Sequence, residues 1–366
     1  MKSCYIHIPF CKSICSYCDF CKMFYNKEFV NSYLDELEKE IREVYNKEEL
    51  ETIYIGGGTP SILSLEELKR LFDILKIFKK KDNIEYTIEG NFDSTTKEKL
   101  ELYKENGVNR LSFGLESINP KNQEFLNRHE SKENIKEVIE NARSLGFHNI
   151  NIDLIYALPT EDKKVLQEDL DYVFSCNPEH ISTYSLIIEE HTVLFLNHIK
   201  NIEEDLDSEM YDLINHEMKK HKYNHYEISN YAKNGYKSKH NTTYWNNEEY
   251  YGFGLGASSY RNNTRIENTR SLTEYLKGNR IKNKEELSKN DKIEYEILLN
   301  LRKSSGISLL DFEAKYKRKL QDICNYQELV TNGFLKEEKN HLFIPEEKFY
   351  ISNEIIVQLL ERITYE

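Results

Sequence analysis

The fold is decided by the stretch Tyr5-Ile6-His7-Ile8-Pro9-Phe10-Cys11-Lys12-Ser13-Ile14-Cys15-Ser16-Tyr17-Cys18-Asp19. It opens with a short apolar run that is typical of a strand and ends at Pro9. Three cysteines follow in the spacing Cys-x3-Cys-x2-Cys. Thiolates are soft ligands that suit iron-sulfur clusters or zinc, and three of them can wrap one face of a small inorganic core. In a cubane cluster the fourth metal position then stays open to a chelator such as an amino-carboxylate.

Two other interpretations of these cysteines are a structural zinc site and incidental buried thiols. Zinc sites usually pair a Cys-x2-Cys with a second ligand pair some distance along the chain, and the sequence shows no such pair. Cys21 is ambiguous, because Cys15, Cys18 and Cys21 could also carry a cluster, or all of them could join Cys11 in a zinc site. The spacing favours the cluster and leaves the alternatives open.

Length and composition restrict the class of protein. A chain of 366 residues exceeds one ordinary domain and indicates a large catalytic unit with a smaller one appended. The net charge of -13 argues against a general nucleic-acid binder, which needs clustered Lys and Arg. No signal-peptide or membrane-span pattern is visible, and seven cysteines do not resemble a secreted disulfide framework. We therefore predict a cytoplasmic protein.

Strand-like and helical patterns alternate along the first half of the chain. The strand-like runs are 5–8, 52–55, 85–89, 110–114, 150–155 and 180–185. The helical patterns that lie between them are 30–44, 65–78, 97–105, 132–145 and 164–174. Ser64 and Glu67 form a capping-box sequence at the start of the second helix. This alternation predicts a parallel sheet with right-handed crossovers, built as a partial barrel or a doubly wound sheet.

Polar or glycine features follow the predicted strands, at the carboxyl ends where such sheets gather functional groups. Gly56-Gly57-Gly58-Thr59-Pro60 follows the second strand, and consecutive glycines let a ligand approach the backbone closely. Glu89 closes the third strand, Glu116 follows the fourth, and Asp153 lies within the fifth. Their recurrence on successive strands, beside the cysteine loop, predicts one shared ligand.

The cysteine stretch resembles the signature of the coproporphyrinogen dehydrogenase and HemW group within the radical SAM proteins. Further segments similar to this group are Gly56–Ser61, Arg110–Ser117, Asn151–Pro159, Tyr226–Ala232 and His240–Trp245. Two features favour the HemW type over the oxidase. Asp19-Phe20 follows Cys18, where the oxidase has a Gly-Cys pair, and this chain lacks the oxidase's longer N-terminal extension. The resemblance covers nearly the whole chain.

The resemblance implies a set of site residues. It makes Cys11, Cys15 and Cys18 the ligands of a 4Fe-4S cluster and Cys21 a bystander thiol. The residues that it places in or near the S-adenosylmethionine cavity are Tyr5, Tyr17, Gly57, Gly58, Thr59, Glu89, Glu116, Arg128 and Asp153. Glycine backbone donors and Glu89 would hold the amino group and carboxylate of this cofactor. The cofactor carries the radical chemistry, and the protein shapes the cavity.

A second implied site concerns heme. The His-Asn-x-x-Tyr-Trp segment is of the HemW kind and is associated with heme contact in that group, which implies His240, Asn241, Tyr244 and Trp245. Heme requires an imidazole or thiolate ligand and aromatic surfaces for its ring. On sequence alone, a histidine in this setting also fits a hydrogen-bonded structural residue, and both interpretations stay open.

Three positions depart from the pattern of the group. Its usual Gln after the fourth strand is Glu116, and its usual Gly-Leu-Pro-Gly-Gln becomes Ala157-Leu158-Pro159-Thr160-Glu161. The usual His of a Gly-Ala-His segment becomes Ser258. Two extra carboxylates and one lost imidazole change the groups that are available to hold a substrate or heme.

The expected fold is α/β, a partial (βα)6 radical SAM barrel with a small, mainly helical C-terminal domain. The expected domains are residues 1–260 for the barrel and its extension, 261–290 for a linker, and 291–366 for a winged-helix-like domain of the HemN type. The resemblance implies a heme chaperone that passes heme to hemoproteins, including respiratory ones at the membrane surface, and it implies an electron donor. The oligomeric state stays open.

Two alternative functions belong to other classes. One is a radical SAM enzyme that acts on a porphyrin, either as an oxygen-independent coproporphyrinogen III oxidase or as a heme methyltransferase. The other is a non-catalytic metal-binding protein that serves in interactions. Metal content tests the last of these, and product analysis separates the first from the chaperone.

Overall fold

The structure is a computed structural model and describes residues 1–365. The strands are β1 (Ser3–Ile8), β2 (Phe10–Cys11), β3 (Met23–Phe24), β4 (Leu50–Gly57), β5 (Lys80–Gly90), β6 (Arg110–Glu116), β7 (Ile150–Tyr156), β8 (His180–Ser185), β9 (Asn224–Glu227), β10 (Asn230–Ala232), β11 (Tyr250–Phe253), β12 (Ser258–Arg261), β13 (Thr264–Asn268), β14 (Ile281–Glu286), β15 (Ile307–Ser308), β16 (Lys336–Glu338) and β17 (His341–Phe343). The helices are α1 (Lys27–Val44), α2 (Leu65–Leu75), α3 (Lys97–Glu105), α4 (Pro120–Leu126), α5 (Lys132–Ser144), α6 (Lys163–Cys176), α7 (Val193–Leu196), α8 (Glu204–Lys220), α9 (Lys239–Trp245), α10 (Leu272–Leu276), α11 (Lys289–Asn300), α12 (Leu309–Tyr316), α13 (Gln327–Thr331) and α14 (Ser352–Leu360).

A twelve-stranded sheet organises the chain, in the order β14-β13-β12-β11-β1-β4-β5-β6-β7-β8-β10-β9. Its centre, from β1 through β4 to β8, consists of parallel neighbours joined by helical crossovers. The predicted α/β fold with six parallel strand-helix units is confirmed. Within residues 1–365, β14 and β9 form the two edges, so the sheet is open.

The crossover helices form where the apolar spacing predicts them. In α1, Val30, Leu34, Leu37 and Ile41 lie on one buried face, at spacings of three and four residues. The capping box at the start of α2 is confirmed: the Ser64 hydroxyl accepts from the Glu67 N–H, and the Glu67 carboxylate accepts from the Ser64 N–H. These helices cover the outer side of the sheet with the apolar side chains of a single continuous core.

Polar side chains occupy alternate positions on the opposite side of the central strands. Asn151 on β7 links its neighbours, because its amide donates to Ser112 at 2.8 Å and its carbonyl oxygen accepts from Ser182 at 3.1 Å. The Asn151 oxygen also lies 2.6 Å from His180 Nδ1. Arg110, at the start of β6, is only 2% exposed. The concave side of the sheet is therefore a hydrogen-bonded polar interior and not an apolar core.

Residues 261–290 differ from the predicted linker. They carry β13, α10 and β14, and β13 and β14 extend the main sheet. The turn between β12 and β13 places Asn262 and Asn263 at φ values of 50° and 60°, the backbone of a tight hairpin turn. Every residue of β14 is exposed, which is why its composition resembles that of a connecting segment.

The C-terminal region packs helices against a small antiparallel sheet in the order β15-β17-β16. Its apolar side chains, such as Ile297, Leu342 and Ile355, belong to the same core cluster as those of the barrel. No helix within residues 1–365 is both long enough and apolar enough to cross a membrane.

Candidate functional site

The three cysteines follow β1 on a loop that is tied to α4. The Ser16 N–H donates to the Leu126 carbonyl at 3.1 Å, and the Ser16 hydroxyl donates to the Phe125 carbonyl at 2.7 Å. The Asn127 amide donates to the Ile14 carbonyl at 2.9 Å. These contacts aim Cys11, Cys15 and Cys18 into one cavity of about 370 Å³ at the carboxyl ends of the parallel strands.

None of the three cysteines forms a disulfide, and burial disfavours the charged form of Cys11 and Cys18. Burial raises the pKa of Cys11 to about 11, and it also raises the pKa of Cys18. Cys21 lines a neighbouring cavity, away from the three. Its side chain packs against Gly256, where an added Cβ would come within 2.5 Å of the Cys21 Cβ. The structure thus separates Cys21 from the other three cysteines of the loop.

The arrangement of the cysteines bears on the kind of inorganic group that would fit. Among residues 1–365, no three His, Cys, Asp or Glu side chains converge on a position for a single ion. A tetrahedral zinc ion, with Zn–S bonds of about 2.3 Å, needs its sulfurs within about 4 Å of one another. The described residues that line this cavity include three cysteines and neither a fourth cysteine nor a histidine, a donor set that fits a cluster with three protein ligands.

The glycines at the end of β4 lie against the cysteine loop. Gly57 has φ +123°, and an added Cβ there would lie 2.6 Å from the His7 ring. A Cβ on Gly58 would lie 2.9 Å from the Cys11 sulfur. Only residues without a side chain fit these two positions, and both glycines line the cavity beside the cysteines. Their N–H groups already donate, Gly57 to the Glu89 carboxylate at 3.0 Å and Gly58 to the Ile8 carbonyl at 2.8 Å, so the expected glycine backbone donors are engaged within the protein.

Glu89 is held at the wall of the same cavity. Its carboxylate accepts from the Tyr54 hydroxyl at 2.7 Å and from the Gly57 N–H at 3.0 Å. Burial raises the pKa of Glu89 to about 7, against the effect of these hydrogen bonds. Tyr5 stands behind this wall, where its ring stacks on Tyr54 and its hydroxyl lies 2.9 Å from His7 Nδ1. Thr59 lies beside Gly58 on the cavity lining.

A carboxylate on β6 and a guanidinium just after α4 also face the cysteines. The Tyr17 hydroxyl donates to Glu116 Oε1 at 3.0 Å, and burial raises the pKa of Glu116 to about 7. Arg128 donates to the Gly114 carbonyl, and its Nη1 lies 4.0 Å from the Cys15 sulfur. Glu116 has φ 66°, where the pairing of β6 with β7 shifts register, and this kink turns its carboxylate into the cavity.

Asp153 completes the acidic wall from β7. The Asn151 amide donates to its Oδ1 at 2.8 Å, and burial raises its pKa while the nearby Arg110 opposes that rise. Arg110 likewise opposes the rise that burial causes in the pKa of Glu89. All the residues predicted for the cluster and cofactor, except Tyr5, line this one cavity.

The His-Asn-x-x-Tyr-Trp segment lies at the opposite, amino end of the parallel strands. It forms α9, whose first N–H groups, on Lys239 and His240, donate to the Glu85 carboxylate at 3.0 and 2.9 Å. His240 is 1% exposed, with Nδ1 at 2.7 Å from Thr52 Oγ1 and Nε2 at 2.7 Å from the Tyr244 hydroxyl. Burial lowers the pKa of His240 to about 3. Both ring nitrogens are therefore engaged by the protein, and the ring is neutral.

Helix α9 closes the amino end of the strands, and we call it the plug. Its other residues are less buried than His240. Asn241 and Trp245 are half-buried, and the Arg302 guanidinium lies 5.9 Å from the Trp245 ring centroid. None of His240, Asn241, Tyr244 and Trp245 lines the cysteine cavity or the two other cavities beside it.

The hydrogen bonds of the His240 ring lead to a prediction about the stability of the protein. His240→Ala should lower the free energy of unfolding by about 2–4 kcal/mol, because it leaves buried hydroxyls without partners and opens a cavity. Asn241→Ala, on the same helix, should change it by less than about 1 kcal/mol. Urea unfolding followed by circular dichroism measures both. Equal stabilities of the two variants would contradict the structural role of the His240 ring.

Two residues of the site were not singled out in the sequence. Tyr54 connects Glu89 to the plug, since its ring stacks on His240 with centroids 5.1 Å apart. Tyr54 and Gly56 are two residues apart on β4 and so lie on the same face of the sheet, and this spacing could have identified Tyr54 from the sequence. Arg110 is a buried cation at the start of an apolar strand, which is itself an unusual position.

Comparisons with known proteins agree with this architecture. A model of the radical SAM superfamily matches residues 5–173, and a model of the HemN C-terminal domain matches residues 287–348. The solved structure of coproporphyrinogen III oxidase (HemN) from Escherichia coli, a radical SAM enzyme, superposes with a TM-score of 0.85. It covers 97% of this chain and 89% of its own at 21% identity. The fold is therefore that of the radical SAM proteins.

Curated relatives show to which family of radical SAM proteins the chain belongs. The heme chaperone HemW of Bacillus subtilis is 38% identical over 97% of this chain and 98% of its own. The heme chaperone HemW of Lactococcus lactis is 36% identical over 98% of this chain and 97% of its own. The chain belongs to the HemW family of radical SAM proteins.

Proposed function

We propose that this protein is a heme chaperone that carries a 4Fe-4S cluster and an S-adenosylmethionine site, binds heme and delivers it to hemoproteins. One observation carries the proposal: three cysteines, a glycine edge and a carboxylate meet in one cavity, in a chain that aligns almost end to end with heme chaperones. The family and the fold support the chaperone role, and the donor set of the cavity supports the cofactors.

The proposed holders of the cofactors are residues of the cavity wall. Cys11, Cys15 and Cys18 would bind the cluster, which leaves one iron for the amino-carboxylate of S-adenosylmethionine. The backbone at Gly57 and Gly58 gives that group a close approach, and the Glu89 carboxylate can accept from its ammonium. When bound, the reduced cluster supplies the electron that cleaves the sulfonium.

The deeper groups of the cavity have a different part in the proposal. Arg128 offers a buried Nε that has no hydrogen-bond partner in residues 1–365, so it can serve a polar atom of a bound molecule. Asp153 and Glu116 are acceptors on the same wall. Tyr17 fixes one of these carboxylates by its hydroxyl, and this orients the acceptor before a ligand arrives.

The partners in this proposal are heme, recipient hemoproteins at the membrane surface and a protein that donates electrons to the cluster, with the protein acting in the cytoplasm. The acidic balance of the chain, a net charge of -13, does not favour nucleic acid as a partner.

The test is an anaerobic titration of the cluster-reconstituted protein with heme, followed by Soret absorption. We expect a saturable shift with about one heme per chain, and transfer of that heme to an apo-hemoprotein added afterwards. Bovine serum albumin at equal concentration controls for non-specific uptake. A linear, non-saturating change that matches the albumin control would overturn the chaperone role.

A porphyrin-modifying enzyme is the second candidate, favoured by the cavity itself. The space of about 370 Å³ extends beyond the cysteines to Asp153, Tyr184 and Ile187, which leaves room for part of a second molecule. Anaerobic incubation with S-adenosylmethionine, a reductant and coproporphyrinogen or heme distinguishes the two functions. A decarboxylated or methylated porphyrin, identified by mass spectrometry, would support the enzyme, and unmodified porphyrin would support the chaperone.

A further inference from the structure

We propose that heme binds in a cleft between the cysteine loop and the segment after β8, with the imidazole of His191 as a ligand of the iron. The proposal rests on the heme-binding function above and gives it a site. The cleft has a volume of about 390 Å³, and Phe20, Cys21, Lys22, Glu189, His191 and Arg270 are among its lining residues. It adjoins the cysteine cavity, since Phe20, Lys22 and Glu189 line both.

The choice of His191 follows from the state of the other histidines. Heme iron in proteins takes His, Cys, Met or Tyr as its axial ligand. His7, His180 and His240 are buried, and both ring nitrogens of each are hydrogen-bonded inside the protein. Of the eleven histidines of the chain, His191 is the one that lines the cysteine cavity or this cleft. Its exposed imidazole makes no hydrogen bond to any residue of 1–365, so a ring nitrogen is available to a metal.

The backbone around His191 is held in place. The Thr192 hydroxyl donates to the Glu189 carbonyl at 2.7 Å, which closes a turn around His191, whose φ is 70°. The next residues form α7, and the Leu194 N–H donates to the Ser16 carbonyl of the cysteine loop at 3.1 Å. The two walls of the cleft are therefore joined, so the imidazole is presented from a fixed turn.

The opposite wall carries cations that suit the two propionates of heme. Lys22 donates to the Cys18 carbonyl, and Arg270 donates to the Asp19 carbonyl at 3.2 Å. Both contacts are to backbone oxygens, and within residues 1–365 neither side chain has a carboxylate partner in an ion pair. Asp19 also lines this wall, so its net charge is one positive, whereas Glu189 and Glu190 make the His191 wall negative. The two sides of the cleft therefore differ in charge. This polarity would orient heme with its propionates toward Lys22 and Arg270.

Apolar side chains at the junction of the two cavities suit the porphyrin ring. Phe20 is 63% exposed and Ile187 is 66% exposed, although each borders a cavity. Large apolar side chains that are exposed next to each other often mark a binding surface. An aromatic face such as that of Phe20 can stack on a porphyrin. A heme on this junction would lie across the mouth of the cysteine cavity.

The decisive experiment replaces His191 by asparagine in the cluster-reconstituted, full-length protein and titrates it with heme. Asparagine tolerates a positive φ and removes the imidazole. His198→Asn is the matched control, because His198 also has a positive φ, of 55°, and is exposed but lies outside the cleft. We expect His191→Asn to weaken heme binding at least tenfold and to shift the Soret band of the remaining complex. His198→Asn should stay within twofold of the wild-type protein.

The outcomes separate this site from the function on which it rests. If the wild-type protein binds heme and His191→Asn binds it equally, with an unchanged Soret band, the site is wrong while the chaperone role stands. If the wild-type protein shows no saturable binding, both the proposed function and the proposed heme site are wrong.

The propionate contacts have their own test. In Lys22→Gln/Arg270→Gln, the affinity for heme should fall about tenfold or more, to the level that the wild-type protein shows for heme dimethyl ester. Affinity for the ester, which has no carboxylates, should be the same in both proteins. An equal loss for heme and its ester would overturn the proposed orientation, and iron content controls for damage to the cluster.

Discussion

Cys18→Ser is expected to reduce the cluster content of anaerobically reconstituted protein from about four irons per chain to near zero, whereas Cys21→Ser should retain it. The two residues are three positions apart on one loop, but only Cys18 lines the cavity with Cys11 and Cys15. Iron and sulfide analysis, with the visible absorption of the cluster, measures the difference. Because both residues lie on one loop, Cys21→Ser serves as the control for a general disruption of the loop by a serine substitution.

The same experiment tests the alternatives for the cysteines. Loss of iron from Cys21→Ser as well would make Cys21 a fourth ligand and leave no open iron for S-adenosylmethionine. Stoichiometric zinc in place of iron, in protein reconstituted with both metals, would support the non-catalytic metal-binding protein.

Glu89→Gln is expected to weaken S-adenosylmethionine binding at least tenfold and, in the absence of that ligand, to stabilise the protein. The carboxylate faces the cavity, so its charge is available to an ammonium. The same charge is costly without a ligand, since burial raises the pKa of Glu89 from 4.5 to about 7. A raised carboxyl pKa means that wild-type stability falls as the pH rises from 4.5 through 7. The stability gain of Glu89→Gln should therefore be on the order of 1 kcal/mol at pH 8 and disappear toward pH 4.5.

Glu161→Gln is the matched control for the two effects expected of Glu89→Gln, the weaker binding of S-adenosylmethionine and the higher stability without it. Burial raises the pKa of Glu161 to about 8, but the residue does not line the cysteine cavity. Its replacement should stabilise the protein at pH 8 in the same way and leave the affinity for S-adenosylmethionine unchanged. Isothermal titration and thermal unfolding measure the two quantities. Unchanged cofactor affinity in Glu89→Gln would remove this residue from the proposed binding site.

The central sheet and the residues of its carboxyl rim could be predicted because their signals are local. Each strand and crossover helix shows its own apolar periodicity, and a parallel sheet brings the ends of its strands to one edge. That rule alone gathers Gly57, Glu89, Glu116 and Asp153 near the cysteine loop, and all four line the cavity.

Features that depend on distant pairings could not be predicted. The plug forms because Glu85 and Thr52 meet α9, more than 150 residues further along the chain. The segment 261–290 resembles a linker because β14 is wholly exposed and pairs only through its backbone. His191 carried no signal, since a histidine in a polar loop becomes notable only when the fold places a cleft and two cations beside it.

The place of β1 in the sheet has a consequence for biosynthesis. This strand, which delivers the cysteines, pairs with β4 on one side and with Tyr250–Phe253 on the other. At translation rates of about 5–20 residues per second, the second partner leaves the ribosome roughly 12–50 s after the first cysteine. Throughout that interval the strand that precedes the cysteine loop lacks its β11 partner. We therefore expect iron and sulfide to be loaded after synthesis of the barrel, and the nascent chain to be most sensitive to oxidants before then.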